Sequence, residues 1–119
     1  MLSITPKHKA YLAVQPIDFR RGIDGLSALC RSQFSLDPFS GHCFIFRNKK
    51  ASAIKILIYD SQGFWLCQKR LSKGSFQHWP RSSTSVIMLD SAQLQALLNN
   101  GNPAALNCAP PWRLITEKP

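Results

Sequence analysis

Six side chains of this 119-residue chain could serve as carboxylate acids, bases or metal ligands: Asp18, Asp24, Asp37, Asp60, Asp90 and Glu117. Two-metal cutting of nucleic acid needs several carboxylates converging on one centre. Asp18 and Asp90 stand before apolar periodic runs, the place of helix N-caps, while Asp37 before Pro38 and Asp60 ahead of Gly63 are turn residues. Asp24 and Glu117 remain, which is too few for a nuclease or transposase centre. His8, His42 and His78 show no local tie to a serine or cysteine nucleophile, and His42 and Cys43, adjacent in an expected strand, should point to opposite faces. Cys30, Cys43, Cys67 and Cys108 contain no C-x-x-C pair or Cys/His knuckle, so no metal site is expected, and they read as free thiols of a reduced, intracellular protein. Gly22 and Gly25 lack the pattern of a phosphate-cradling loop. The sequence therefore predicts no catalytic residues, no metal and no cofactor: a protein that is not an enzyme.

Charge points elsewhere. Fifteen Lys and Arg against six Asp and Glu give a formal +9, and the excess lies in residues 1–81, since the last 38 residues carry two basic and two acidic side chains. A field of that size favours a polyanion such as DNA or an anionic surface. The basic candidates are Arg20 and Arg21 before the first helix run; Arg47, Lys49 and Lys50 around the first hairpin loop; Lys55; and Lys69, Arg70 and Lys73 at the end of a third strand. Tyr59 and Trp65 are placed to stack bases, as aromatic residues of single-strand binders do. The same residues also fit a surface that meets a protein partner, or a plainly solvated sheet face.

The elements that must position these side chains are legible in outline. Ala10–Val14 is a short apolar stretch closed by Pro16, and Phe19, Ile23, Leu26 and Cys30 recur at helical spacing, predicting a helix capped by Asp18 and running to about Gln33. Gly22 and Gly25 weaken that helix by roughly 1 kcal/mol each relative to Ala, a cost offset by close packing on the sheet. His42–Arg47, Ile54–Tyr59 and Phe64–Arg70 read as a three-strand antiparallel meander. A three-residue bulged loop with Gly63 left-handed pairs Asp60 with Phe64. In that register Ile54, Ile56, Ile58 and Leu66 share a face with Phe44 and Phe46, and Lys55, Tyr59, Trp65 and Lys69 share the other. Val86–Leu89 suggests a further short strand. Asp90 and Gln93 form a capping box, Leu89 and Leu94 a hydrophobic staple, and Gly101 stops the helix whose stripe is Leu94, Leu97 and Leu98. The fold class is α+β: an antiparallel meander packed against one main helix, with a short C-terminal helix. A single domain is expected over 1–101 and a loosely ordered, proline-rich tail over 102–119. No apolar stretch is long enough to span a membrane and no export signal opens the chain, so a cytoplasmic location is expected.

One ordered set of words carries a resemblance. Pro16-Ile17-Asp18-Phe19-Arg20-Arg21-Gly22-Ile23-Asp24-Gly25-Leu26, Asp37-Pro38-Phe39-Ser40-Gly41, Phe44-Ile45-Phe46-Arg47-Asn48-Lys49-Lys50, Lys55-Ile56-Leu57, Tyr59-Asp60, Gly63-Phe64, Lys69-Arg70-Leu71 and Trp79-Pro80 resemble, over about residues 10 to 100, the TnpB-type accessory protein of the IS66 family of bacterial insertion sequences. The chain departs from that pattern at Cys67-Gln68 and after Gly101. The resemblance implies a bacterial accessory protein of transposition, acting beside a separate transposase that carries the strand-transfer carboxylates and beside another small protein of the element. Its matching basic positions are Arg20, Arg21, Arg47, Lys49, Lys50, Lys55, Lys69 and Arg70. Two roles follow: helping to assemble the transposase on element DNA through the basic surface, or serving as a protein-protein adaptor without DNA contact.

Overall fold

The computed structural model describes residues 9–101; His8 and the expected tail over 102–119, which carries Cys108 and Glu117, lie outside them. Five strands, β1 (Ala10–Ala13), β2 (Cys43–Arg47), β3 (Ala53–Tyr59), β4 (Phe64–Arg70) and β5 (Val86–Leu89), form one sheet in the order β4-β3-β2-β1-β5. Two helices, α1 (Ile23–Phe34) and α2 (Ser91–Leu98), complete the α+β fold. The expected meander β2-β3-β4 is present. It is extended by β1, which pairs in parallel with β2 through Tyr11 and Phe44, and by β5, antiparallel to β1 with Ala13 opposite Val86. A parallel pair needs a crossover connection, and α1 is that crossover.

Both faces of the sheet are covered. On one, Leu26, Leu29 and Cys30 of α1 pack with Ala13, Phe44, Phe46 and Leu57, and Leu66 joins them from β4. On the other, Leu94 and Leu97 of α2 and Phe76 of the long β4–β5 connection close over Leu12, Cys43, Ile45, Ile54, Ile56 and Ile58. Side chains directly opposite each other on paired strands share a face. Ile45 lies opposite Ile56 and Phe44 opposite Leu57, so Phe44 and Phe46 belong with Leu57 and Leu66 beneath α1, not with the three isoleucines.

The β3–β4 turn corrects the expected register by one residue: Tyr59, not Asp60, lies opposite Phe64. The Asp60 carboxylate accepts from the amides of Gln62 and Gly63, both at 3.0 Å, and Ser61 rather than Gly63 takes the left-handed conformation, with φ +78°. A one-residue shift moves every side chain of the strand to the other face. Lys55 and Tyr59 therefore lie on the α1 face, while Trp65 and Lys69, opposite Ile58 and Ile54, lie on the α2 face.

The helix starts differ in a similar way. Asp90 caps α2 in a full capping box, its Oδ1 accepting from Gln93 N at 2.7 Å while Gln93 Oε1 accepts from Asp90 N at 3.0 Å. Asp18 does not cap α1. Gly22 is the N-cap, without a side-chain hydrogen bond, and Asp18 instead accepts from the Arg20 backbone amide in a local turn. The absence of a Cβ at Gly25 leaves room for Arg21 rather than for the sheet, since an added Cβ would stand 3.2 Å from Arg21 Cβ. At the end of α2, Asn100 adopts the left-handed conformation at φ +60° ahead of Gly101. Asn tolerates that region better than most side chains.

Candidate nucleic-acid interface

Strand directions bring the basic candidates to one end of the sheet. β2 ends there with Arg47, β3 begins with Ala53 opposite Arg70 at the end of β4, and Ile17 N donates to Arg47 O at 3.0 Å, drawing in the segment that carries Arg20 and Arg21. Asn48 shapes the hairpin tip. Its Oδ1 accepts from Ser52 N at 2.9 Å and Ala53 N at 3.2 Å, and its Nδ2 lies 2.9 Å from Ser52 Oγ. Ala51 takes a left-handed φ of +53° to close the turn. Lys49 and Lys50 sit exposed on this tip. The chain after β4 is tied to it, Leu71 N donating to Ser52 O at 2.9 Å and Phe76 N to Ala51 O at 2.7 Å, which brings exposed Lys73 alongside.

The candidates are not equivalent. Lys55 is buried, 8% exposed, and its Nζ donates to the carbonyls of Phe19 at 2.7 Å and Arg21 at 3.0 Å while lying 4.8 Å from the Phe19 ring centroid. It fastens the β1–α1 connection to the sheet and presents no charge to a ligand. Lys69 donates to the Leu98 carbonyl at the C-terminal end of α2, a favourable place for a cation. Arg20 is exposed but forked onto Asp18, with Nη2 2.8 Å from Oδ2. That side-chain hydrogen bond, followed by the one from the Arg20 amide, holds the Asp18 carboxyl down at about 2. A phosphate would therefore meet a neutralised pair there. Of the sequence candidates, Arg21, Lys49, Lys50, Arg70 and Lys73 remain as exposed cations of this end.

Arg47 stands between these groups. Half-buried, it reaches the carbonyls of Asn48 and Lys49 with Nη1 at 3.5 and 3.4 Å, and its guanidinium carbon lies 5.8 Å from the Trp79 ring centroid. Burial disfavours its charge and lowers its pKa.

The two aromatic candidates are not brought together. Tyr59 packs edge-on against Phe39 at 4.8 Å and beside Phe64 at 5.0 Å between centroids, its hydroxyl donating to Ser61 O. Trp65, 45% exposed, lies on the other face with its indole Nε1 donating to Asp60 Oδ2 at 2.7 Å. Both lie at the turn end of β3 and β4, away from the hairpin tip, so a shared base-stacking platform does not exist. Burial pushes the Cys30 thiol up to about 12 and Cys43 to about 11, which leaves neither as a ready thiolate nucleophile. Two residues of the basic end were not among the sequence candidates: Trp79, which entered only in the Trp79-Pro80 word of the resemblance, and Arg81. Their link to Arg47 spans more than thirty positions and leaves no local signal.

A mixed five-stranded sheet covered on both faces, with cations collected at one end, defines a small α+β protein. Residues 8–107 match the model of the IS66 Orf2-like protein family, and the chain belongs to that family, an insertion-sequence-associated one. It is 42% identical over 65 residues to the uncharacterized protein y4jC of Sinorhizobium fredii, a match that covers 55% of this chain and 56% of that protein. It is 33% identical over 91 residues to the uncharacterized protein y4hO of the same organism, covering 76% of this chain and 78% of that one. The chain thus spans little more than half the length of the first of these relatives. No solved structure gives a significant match. No helix among the described residues is long and apolar enough to cross a membrane.

Proposed function

We propose that this protein is a non-enzymatic accessory factor of insertion-sequence transposition that helps to assemble the transposase on element DNA through the basic end of its sheet. The observation that carries the reading is the gathering of Lys49, Lys50, Arg70 and Lys73 at that end by the β2–β3 hairpin and the chain around the end of β4, joined by Arg21 from the β1–α1 connection. Exposed cations in that arrangement release counterions when they meet phosphates, which supplies sequence-independent affinity. Membership of the insertion-sequence family supports DNA and the transposase as the partners. The test is fluorescence anisotropy of labelled single-stranded, duplex and element-end oligonucleotides across a salt series. Binding that weakens steeply with salt supports phosphate contact, and preference for the element end adds base or shape readout. No binding at low salt refutes direct DNA contact.

A second reading, an adaptor that meets the transposase without touching DNA, has its own observation. β4 is an edge strand with exposed Trp65 in its sequence, and an open edge can pair with a strand of another protein. Changing Trp65 would then cost partner capture and leave DNA binding unchanged.

A further inference from the structure

Between the end of β1 and the β4–β5 connection lies a cleft of about 450 Å³. Its polar lining is Arg47, Arg81, Gln15, Gln77 and Ser82, Trp79 lines it as well, and among the described residues no carboxylate borders it. Trp79 is fixed in place, its Nε1 donating to Ala13 O at 3.1 Å and its ring meeting Phe76 at 6.5 Å between centroids.

Arg47 is left under-satisfied in this setting. Its Nε is the one buried side-chain nitrogen or oxygen without a hydrogen-bond partner among the described residues. Its Nη1 bonds to Asn48 and Lys49 are near the limit of hydrogen-bond length. Native structures rarely leave such a donor unpaired, and an ordered water or a bound anion can supply the acceptor. A guanidinium presents its Nε and Nη donors as a fork suited to two oxygens of a phosphate. Arg81 adds a second cation to the lining. The volume falls within the range of small-ligand sites and exceeds what a bare phosphate needs, while the Trp79 ring and the guanidinium in front of it offer planar surfaces of the kind on which bases stack.

We propose that this cleft is a binding site for a single nucleotide unit, its phosphate taken by Arg47 and Arg81 and its base lying beside the Arg47–Trp79 pair. The oxyanion draws the Nε edge of Arg47 toward the cleft and supplies the acceptors that the fold withholds. The unit can be a free mononucleotide or a nucleotide of a single strand, and the site does not depend on the duplex contacts made by Lys49 and Lys50.

The experiment is an NMR titration of the ¹⁵N-labelled protein with deoxyadenosine 5′-monophosphate, deoxyadenosine, inorganic phosphate and a short single-stranded oligonucleotide, following the side-chain Nε–H signals of Arg47 and Trp79. Saturable shifts of both signals with the monophosphate are expected. Deoxyadenosine should bind at least tenfold more weakly, and inorganic phosphate more weakly than the nucleotide. Arg81→Gln, an exposed change that leaves the fold intact, should weaken the nucleotide at least fivefold, whereas Lys49→Glu with Lys50→Glu should leave it within twofold. If the oligonucleotide moves the same two signals more tightly than the free nucleotide, the source is a nucleic-acid strand; if the reverse, a free nucleotide. Unmoved Arg47 and Trp79 signals at millimolar nucleotide overturn the proposal, as does equal binding of nucleotide and inorganic phosphate. Loss of duplex binding in the anisotropy assay with these shifts intact would refute the interface reading alone.

Discussion

Replacing Lys55 by Met separates a positioning lysine from a phosphate-binding one. Met retains most of the apolar stem that Lys55 buries and removes the ammonium that reaches Phe19 O at 2.7 Å and Arg21 O at 3.0 Å. Hydrogen bonds from a charged donor contribute roughly 1.5–3 kcal/mol each, giving a gross loss of about 3–6 kcal/mol for two. About half of that is recovered, because the buried charge no longer has to be desolvated and the carbonyls of a connection partly open to solvent can bind water. The expected net destabilisation is roughly 2–3 kcal/mol, a fall in Tm of about 10–20 °C for a domain of this size. Urea titration followed by far-UV circular dichroism measures it. DNA affinity, measured at a temperature where the variant is folded, should stay within twofold of the parent. Lys49→Glu with Lys50→Glu should do the opposite, changing stability by less than about 0.5 kcal/mol and reducing the salt slope by about two phosphate contacts. A Lys55→Met protein as stable as the parent, with DNA affinity down tenfold, would refute the assignment of Lys55 to the fold.

Two further outcomes follow from the caps and turns. Asp60 has its pKa lowered by the Gln62 amide, then the Trp65 indole and the Gly63 amide; a carboxylate with a depressed folded pKa contributes stability that is full above its unfolded value and is lost as pH falls through the folded one. The Trp65 Nε1–H resonance should accordingly titrate with a midpoint below that of an ordinary aspartate, and a midpoint at or above the ordinary value would show that the indole–carboxylate bond is absent in solution. Asp90→Ala removes one half of the α2 capping box and should cost about 1 kcal/mol. Combined with Gln93→Ala, the loss in urea titrations should fall short of the sum of the single changes, because the two bonds form one reciprocal unit, and strict additivity would contradict that geometry.

How much of this could be read without coordinates depends on where the physics is local. The α2 cap was legible because Asp90, Gln93, Leu89 and Leu94 lie within six positions and each satisfies a rule of helix starts. The meander was legible from its β-branched and aromatic runs and the turn residues between them. The faces were not, and β3 shows why: residues 53–58 are all buried, because α1 covers one side of the sheet and α2 with Phe76 the other. Alternation of polar and apolar residues marks a strand with one wet face; a strand buried twice carries no such mark, so only the turn could fix the register. That turn was settled by a side chain, Asp60, standing in for a backbone acceptor and passing the left-handed position to Ser61.

The same double covering decides which cations are free. Lys55 interrupts the run Ile54–Ile58, and in a one-sided sheet it would mark the solvent face, which is why it read as a ligand residue. With α1 lying over that face, a lysine there can be accommodated only if its ammonium finds acceptors inside, and the carbonyls exposed by the non-helical segment before Gly22 are those acceptors. The late start of α1 and the burial of Lys55 are thus one fact. Were Asp18 the cap, as the spacing suggests, the carbonyls of residues 19–21 would accept from amides one turn on, and Phe19 O and Arg21 O would no longer be open acceptors for Lys55. The charge that the sequence assigns to the surface is instead consumed in holding the connection that delivers Arg21 to the basic end. The cations left over, at the hairpin tip and after β4, are those whose backbone is fixed by Asn48, Ala51 and Ser52. An interface built on that frame should therefore be more sensitive to Asn48, which carries no charge, than to Lys55, which does.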